Sequence, residues 1–182
     1  MIPVQYDSQS SSCLVQLPEN MLLSEHFNLK ELSNTSGNPE LAQYEISDYS
    51  RDFNDLLEQF RLSYNHPIVP TSGYRQEEFN RQVGGDPRSL HLHACACDFV
   101  DQYKMEPFWM MSTWLKVLSW YDIIGAVNLY DNGSYYRYHV EAFSDIFLGY
   151  SKSQVRIYTN EQDFAKYLDM YQPLGYSVVY YG

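Results

Sequence analysis

Ten residues, Ser89–Asp98, constrain this chain more than any other stretch. They read S-L-H-L-H-A-C-A-C-D and crowd two histidines, two cysteines and an aspartate into a sequence with only 5 His and 3 Cys. Neutral imidazole and carboxylate are the usual ligands of a hydrolytic zinc ion. The two histidines and the aspartate are therefore candidate ligands. A second reading competes. Ala94–Val100, A-C-A-C-D-F-V, also suits a buried strand in which free cysteines pack as small hydrophobes. A His/Cys cluster of the structural-zinc kind is the runner-up use of the stretch, although the paired C-x-x-C spacing of such sites is missing.

The wider segment Thr71–Asp98, TSGYRQEEFNRQVGGDPRSLHLHACACD, resembles the zinc D-Ala-D-Ala carboxypeptidase family, which includes vancomycin-resistance carboxypeptidases and phage endolysin peptidases. Ser72, Gly73, Tyr74 and Arg75 match its S-G-[YF]-R part. Asn80, Val83, Gly84 and Gly85 match an N-x-x-V-G-G-like part, and Ser89, His91, Ala96 and Asp98 match S-x-H-x-x-G-x-A-x-D. The glycine of that last pattern is Ala94 here. His139-Val140-Glu141 fits the family's later H-V-[DE] segment, so the resemblance implies His91, Asp98 and His139 as ligands of one Zn2+. It covers about Leu23 to Ala142, and three spaced segments in order are far more specific than any one alone.

At 182 residues the chain is long enough for one domain with a real core. Its net charge of −11 argues against a nucleic-acid partner and against capture by anionic membranes. No run reaches the ~20 apolar residues of a membrane span. The odd set Cys13, Cys95 and Cys97 implies no disulfide framework. The first twenty residues show neither a basic n-region nor a long apolar run, so the expectation is synthesis in the cytoplasm without a signal peptide and action on the bacterial cell wall, as for a phage-type lysis enzyme.

Along the chain, residues 1–22 read as an irregular arm, 23–150 as a zinc peptidase domain and 151–182 as a C-terminal β-α-β extension packed on it. Ser24 and Asn28 compete as helix caps, with Phe27 as a core anchor and His26 as structural. Glu40–Tyr64 is expected to be mostly helical, with Phe53, Leu56, Leu57, Phe60 and Leu62 inward and Asp52, Asp55 and Glu58 solvated. Pro67–Ser72 reads as a strand and Gln76–Val83 as a short helix. Ala94–Asp101 is a second strand. Pro107–Tyr121 reads as a helix with Trp109, Met110, Trp114, Leu115 and Leu118 inward. Asn132-Gly133 marks a hairpin between Asp122–Tyr130 and Tyr135–Ala142. The fold that the resemblance implies is α+β: an antiparallel sheet of about four core strands with helices on one face, to which this chain adds the β-α-β appendage.

The resemblance implies a zinc-dependent peptidase of peptidoglycan stem peptides, as a D-Ala-D-Ala carboxypeptidase or a murein endopeptidase. The alternative is a peptidase-like domain without turnover, used as a binding or structural module. Residues i and i+2 of a strand share a face, which makes Glu141 the expected general base beside His139, with Asp131 as substitute. In the dipeptidase branch of the family the base lies three residues before the histidine, where this chain has Tyr136. Arg75 is expected to hold a substrate carboxylate or carbonyl through its fork of donors, or else to pair with an acid such as Asp86. Ser89, His93 and Tyr74 are expected around the ligands on the substrate side. Oligomeric state is not readable from the sequence.

Overall fold

A computed structural model describes residues 13–18, 21–33, 41–101, 105–131 and 134–181 of the protein. Its centre is a six-stranded sheet of order β3-β4-β6-β5-β7-β8: β3 is Val69–Ser72, β4 Ala96–Val100, β5 Gly125–Asp131, β6 Tyr136–Ala142, β7 Gln154–Tyr158 and β8 Ser177–Tyr181. The first four neighbours pair antiparallel, while β5/β7 and β7/β8 are parallel. The sheet is thus larger than the four antiparallel strands expected, and mixed. The reason is topological. A β-strand, a helix and a second strand of the same sheet close as a parallel crossover. The last segment does this through α6, Glu161–Tyr171, and adds both of its strands beyond β5.

Strand parity sorts the side chains onto two faces. Phe99 of β4 and Tyr138 of β6 stand opposite each other and stack at 5.4 Å. Phe60 of α2 (Asp48–Tyr64) and Trp114 of α4 (Pro107–Trp120) join them there, 5.5 Å apart edge to face, and the Trp114 indole N–H donates to the Ala126 carbonyl. α6 lies against the same layer through Tyr171, whose hydroxyl donates to the Phe108 carbonyl of α4. The three longest helices therefore cover one face with an apolar core, each large aromatic contributing about 1.5–3 kcal/mol by burial. Cys95 and Cys97, on the parity of Phe99, are buried and free, and burial pushes both thiols well up. This overturns the His/Cys cluster: the cysteines face the core, and Asp98 faces away from it.

Several local expectations change. Cys13–Pro18 is a strand, β1, rather than part of an irregular arm. It pairs antiparallel with β2, Leu41–Ile46, which replaces the first turns of the expected helix. α2 starts only after Ser47, where Ser47 and Ser50 cap one another's backbone N–H. Asn28, not Ser24, caps the short helix α1 (Leu29–Leu32), in a reciprocal box with Glu31. Ser24 and His26 instead hydrogen-bond to Glu58, which is buried and not on the solvated face. Leu62 and Trp109 are exposed, not inward. The hairpin turn Asn132-Gly133, residues 34–39 and Cys13's side chain lie outside the described residues. Among the described residues no helix is long and apolar enough to cross a membrane.

The loop into β4 is a 3₁₀ turn, Leu90–His93, capped by the Ser89 hydroxyl and ended by Ala94 at φ 53° and ψ 32°. That left-handed conformation is natural to glycine and costs an alanine about 1–2 kcal/mol. Ala94 therefore performs the turn its glycine counterpart would, under strain. Ala94→Gly should be nearly neutral, because relief of strain is offset by a lost buried methyl group. Ala94→Val adds branching at a positive φ and bulk in the core, and should cost about 2–3 kcal/mol in chemical denaturation.

Candidate metal centre

One transverse row of the sheet builds the site. Ser72, Asp98, His139, Asn128, Arg156 and Val179 are register partners across all six strands, on the face opposite α2, α4 and α6. His91 reaches the row from the 3₁₀ turn before β4. Backbone contacts fix that turn's distance from β3: the Arg75 N–H donates to the His91 carbonyl at 2.9 Å.

His91, Asp98 and His139 each offer a donor atom, all within 4.8 Å of one another. His91 Nε2 lies 3.2 Å from His139 Nδ1, which lies 2.8 Å from Asp98 Oδ1; His91 Nε2 is 3.4 Å from Asp98 Oδ2. Ligands at ~2.0–2.1 Å in a tetrahedral zinc shell stand about 3.3 Å apart, so this spacing suits zinc.

The tautomers support the same conclusion. His91 Nδ1 sits 2.6 Å from the Gly73 carbonyl oxygen, which can only accept, so Nδ1 carries a hydrogen. Gly73 is required there: a Cβ on it would meet the Leu32 carbonyl oxygen at 2.2 Å. His139 Nε2 sits 2.9 Å from Glu141 Oε2, again an acceptor. With both rings neutral, each turns a bare lone pair toward the other across 3.2 Å. Two such lone pairs beside a carboxylate suit a cation between them, and a divalent metal with borderline-soft preference fits the donor set.

A proton competes with a metal for the His139 nitrogen. Burial lowers the His91 pKa. Burial opposes charge on His139 too, but hydrogen bonds with Asp98 and Glu141 outweigh it and raise its pKa to about 9. Against burial, the two imidazoles hold Asp98 far below the usual carboxylate range. Glu141, also buried, is lowered to about 2 by His139 and Arg156.

The other sequence candidates take varied places. Arg75 donates from Nε to Ser72 Oγ at 2.9 Å, from one terminal nitrogen to Asn80 at 3.5 Å and from the other to Asp98 Oδ2 at 2.7 Å. Its acid partner is Asp98, not Asp86, which pairs with Arg88. Ser89 caps the turn that carries His91. Tyr74 is buried, with its ring 5.9 Å from Tyr44 in an edge contact. His93 leaves the cluster and stacks on Phe147 at 4.4 Å. Glu141 lies beyond His139, so the imidazole stands between it and the other two ligands; it is 4% exposed and also takes hydrogen bonds from Ser144 and Arg156. Asp131 and Tyr136 are partners in register on the opposite parity to His139, toward the helices. Arg156 and Asn128 escaped the sequence reading. Their signal was a lone polar residue inside an otherwise apolar strand, V-R-I-Y and A-V-N-L-Y.

A second group, Glu25, His26 and Glu58, also brings donor atoms within 4.8 Å. Both Glu58 oxygens are taken by Ser24 and His26, which ties the segment before α1 onto α2.

Fold and site together define an α+β domain with a His–Asp–His group that could hold a metal, on the sheet face opposite α2, α4 and α6. The chain matches the Peptidase M15 family model over residues 23–128, more than half its length, and belongs to that family of zinc metallopeptidases. No curated protein and no solved structure matches it. The matched segment ends before His139, Glu141 and Arg156.

Replacing His91 by Ala should remove most zinc from protein dialysed at neutral pH, read by atomic absorption; full occupancy would refute the ligand set. Arg75→Lys supplies a point charge where a fork is needed. It should leave melting nearly unchanged and weaken zinc binding about tenfold in chelator competition.

Proposed function

We propose that the protein is a zinc-dependent peptidase of peptidoglycan stem peptides, acting on the bacterial cell wall as a phage-type lysis enzyme does. The observation that carries the reading is the convergence of His91, Asp98 and His139 within metal-binding distance of one another in a chain of the M15 family. The substrate class follows from the three motif segments, whose pattern is that of murein peptidases. The cut bond is the terminal D-Ala–D-Ala bond or an interpeptide bond.

Zinc at this centre supplies a bound water of pKa ~7 and polarises the scissile carbonyl. The chain's own residues fix the ligands. The Gly73 carbonyl sets the His91 tautomer, Arg75 holds one oxygen of Asp98, and Glu141 holds His139 from behind. In this reading Glu141 is a positioning carboxylate in place of the general base expected from its spacing, because its oxygens are engaged by His139, Ser144 and Arg156. Arg75 is likewise a positioning residue in place of a substrate clamp.

Glu141→Gln separates the two roles. As a positioning residue it should weaken zinc affinity about 10–100-fold and leave turnover per bound zinc within a few-fold of wild type. A base would give the reverse: unchanged affinity and a loss of about 10²–10⁴ in turnover.

A module that binds stem peptides without cutting them is the second reading. It is favoured by the position three residues before His139, where Tyr136 faces the helices and brings no carboxylate to the metal. Digestion of purified sacculi by the zinc-loaded protein, with mass analysis of the fragments, decides between them. New peptide termini are expected. Stoichiometric zinc with intact stem peptides, in sacculi and in free peptides ending in D-Ala-D-Ala, would overturn peptidase activity and leave the module.

A further inference from the structure

The C-terminal β7–α6–β8 segment lies beyond the family match, yet it sends one charged side chain into the core of the site. Arg156, in the middle of β7, is only 8% exposed. One of its terminal nitrogens donates to Glu141 Oε1 at 2.9 Å, and the other approaches Glu141 Oε2 at 3.3 Å. Three further groups hold the guanidinium. Its Nε donates to Gln154 at 3.0 Å, and terminal nitrogens donate to Asn128 Oδ1 at 3.4 Å and to the Tyr150 hydroxyl at 3.2 Å. Glu141 Oε2 in turn faces His139 Nε2. A continuous chain of contacts therefore runs from β7 through β6 to the nitrogen that faces His91 and Asp98.

The strands leave room for this. Glu141 has Ala96 and Ala126 as its register partners on either side. A larger residue at Ala126 would stand where the guanidinium crosses from β7 to β6. Burying an arginine is costly unless a fork-to-fork partner meets it, and here it meets one that touches a metal ligand.

We infer that Arg156 is a positioning residue of the metal centre: it locks the Glu141 carboxylate in one orientation and so fixes the His139 ring with Nδ1 toward the metal. This rests on His139 being a ligand, as proposed above. It makes the C-terminal segment a working part of the site and not an appendage. An ammonium group could satisfy only one carboxylate oxygen, so charge alone would not hold the orientation.

The test is a cycle of four chains: wild type, Arg156→Lys, Glu141→Gln and the double variant. Lysine keeps the buried charge and glutamine the shape and hydrogen-bonding end of the glutamate, and circular dichroism with thermal melting confirms the fold of each chain before its affinity is read. Zinc affinity is read by chelator competition, and Co2+ loaded in place of zinc reports ligand geometry through its visible absorption. Arg156→Lys should weaken zinc binding about tenfold and broaden or shift the Co2+ bands, with melting changed by only a few degrees. In the Glu141→Gln background the same change should have less than a twofold effect, because Arg156 acts through that carboxylate. Wild-type affinity and an unchanged Co2+ spectrum in Arg156→Lys would overturn the inference. So would equal losses in both backgrounds, which would mean a general effect on the fold. If Arg156→Lys fails to fold, the Glu141→Gln/Arg156→Met pair, which removes both buried charges, is compared with Glu141→Gln; a further loss beyond twofold overturns the inference, and none supports it. Failure of the ligand reading itself looks different: wild type would then bind no stoichiometric zinc, or His91→Ala would retain it.

Discussion

Two imidazole nitrogens held 3.2 Å apart by acceptors behind them are the constraint on which this structure turns. A change of tautomer does not relieve the repulsion, because the Gly73 carbonyl and the Glu141 carboxylate claim the other nitrogens; a metal ion, or a proton on His139 shared with Asp98, does. The arrangement requires the turn before β4, the strand β6 and the edge β3 in one register. The nearby specializations serve that register. They include the glycine pressed against Leu32, the left-handed Ala94, and the arginine that ties Ser72 to Asp98.

Much of this was legible in the sequence because it is local. His91 and Asp98 are seven residues apart on one turn and strand, and period-two alternation sends Asp98 one way and Cys97 the other. His139 needed the resemblance, since nothing in a strand's own composition says which distant strand it will pair with. The pairing of β5 with β6 followed from the hairpin pattern, and the rest of the antiparallel core β3-β4-β6-β5 from the resemblance. The parallel part did not, because a terminal β-α-β reads alike whether it joins a sheet or stands apart.

The misreadings share a physical cause. Glu58, Trp109 and Leu62 were assigned by helical periodicity, which gives a face but not what meets that face. Glu58 is buried because Ser24 and His26 come to it from thirty-odd residues away. For Glu141 the strand face gave the neighbour and not the rest of the surroundings. Parity placed it correctly beside His139, but Arg156 and Ser144, which occupy its oxygens, come from elements that parity cannot see. β1, against β2, was hidden in a polar stretch whose partner strand looked like the start of a helix.

The order of the sheet has a consequence for how the molecule is made. The middle strand β6 is flanked by β4 and β5, and β5 by β7, so the metal-facing row gathers residues from Ser72 to Arg156. Pairings of such sequence separation form late, after the closure entropy of long loops has been met. The donors His91, Asp98 and His139 come together only when β4 and β6 have paired, so a metal binds only then, and the binding free energy is added to that state alone. A retained zinc ion would thus distinguish a chain whose β4 and β6 have found each other from one that has merely collapsed.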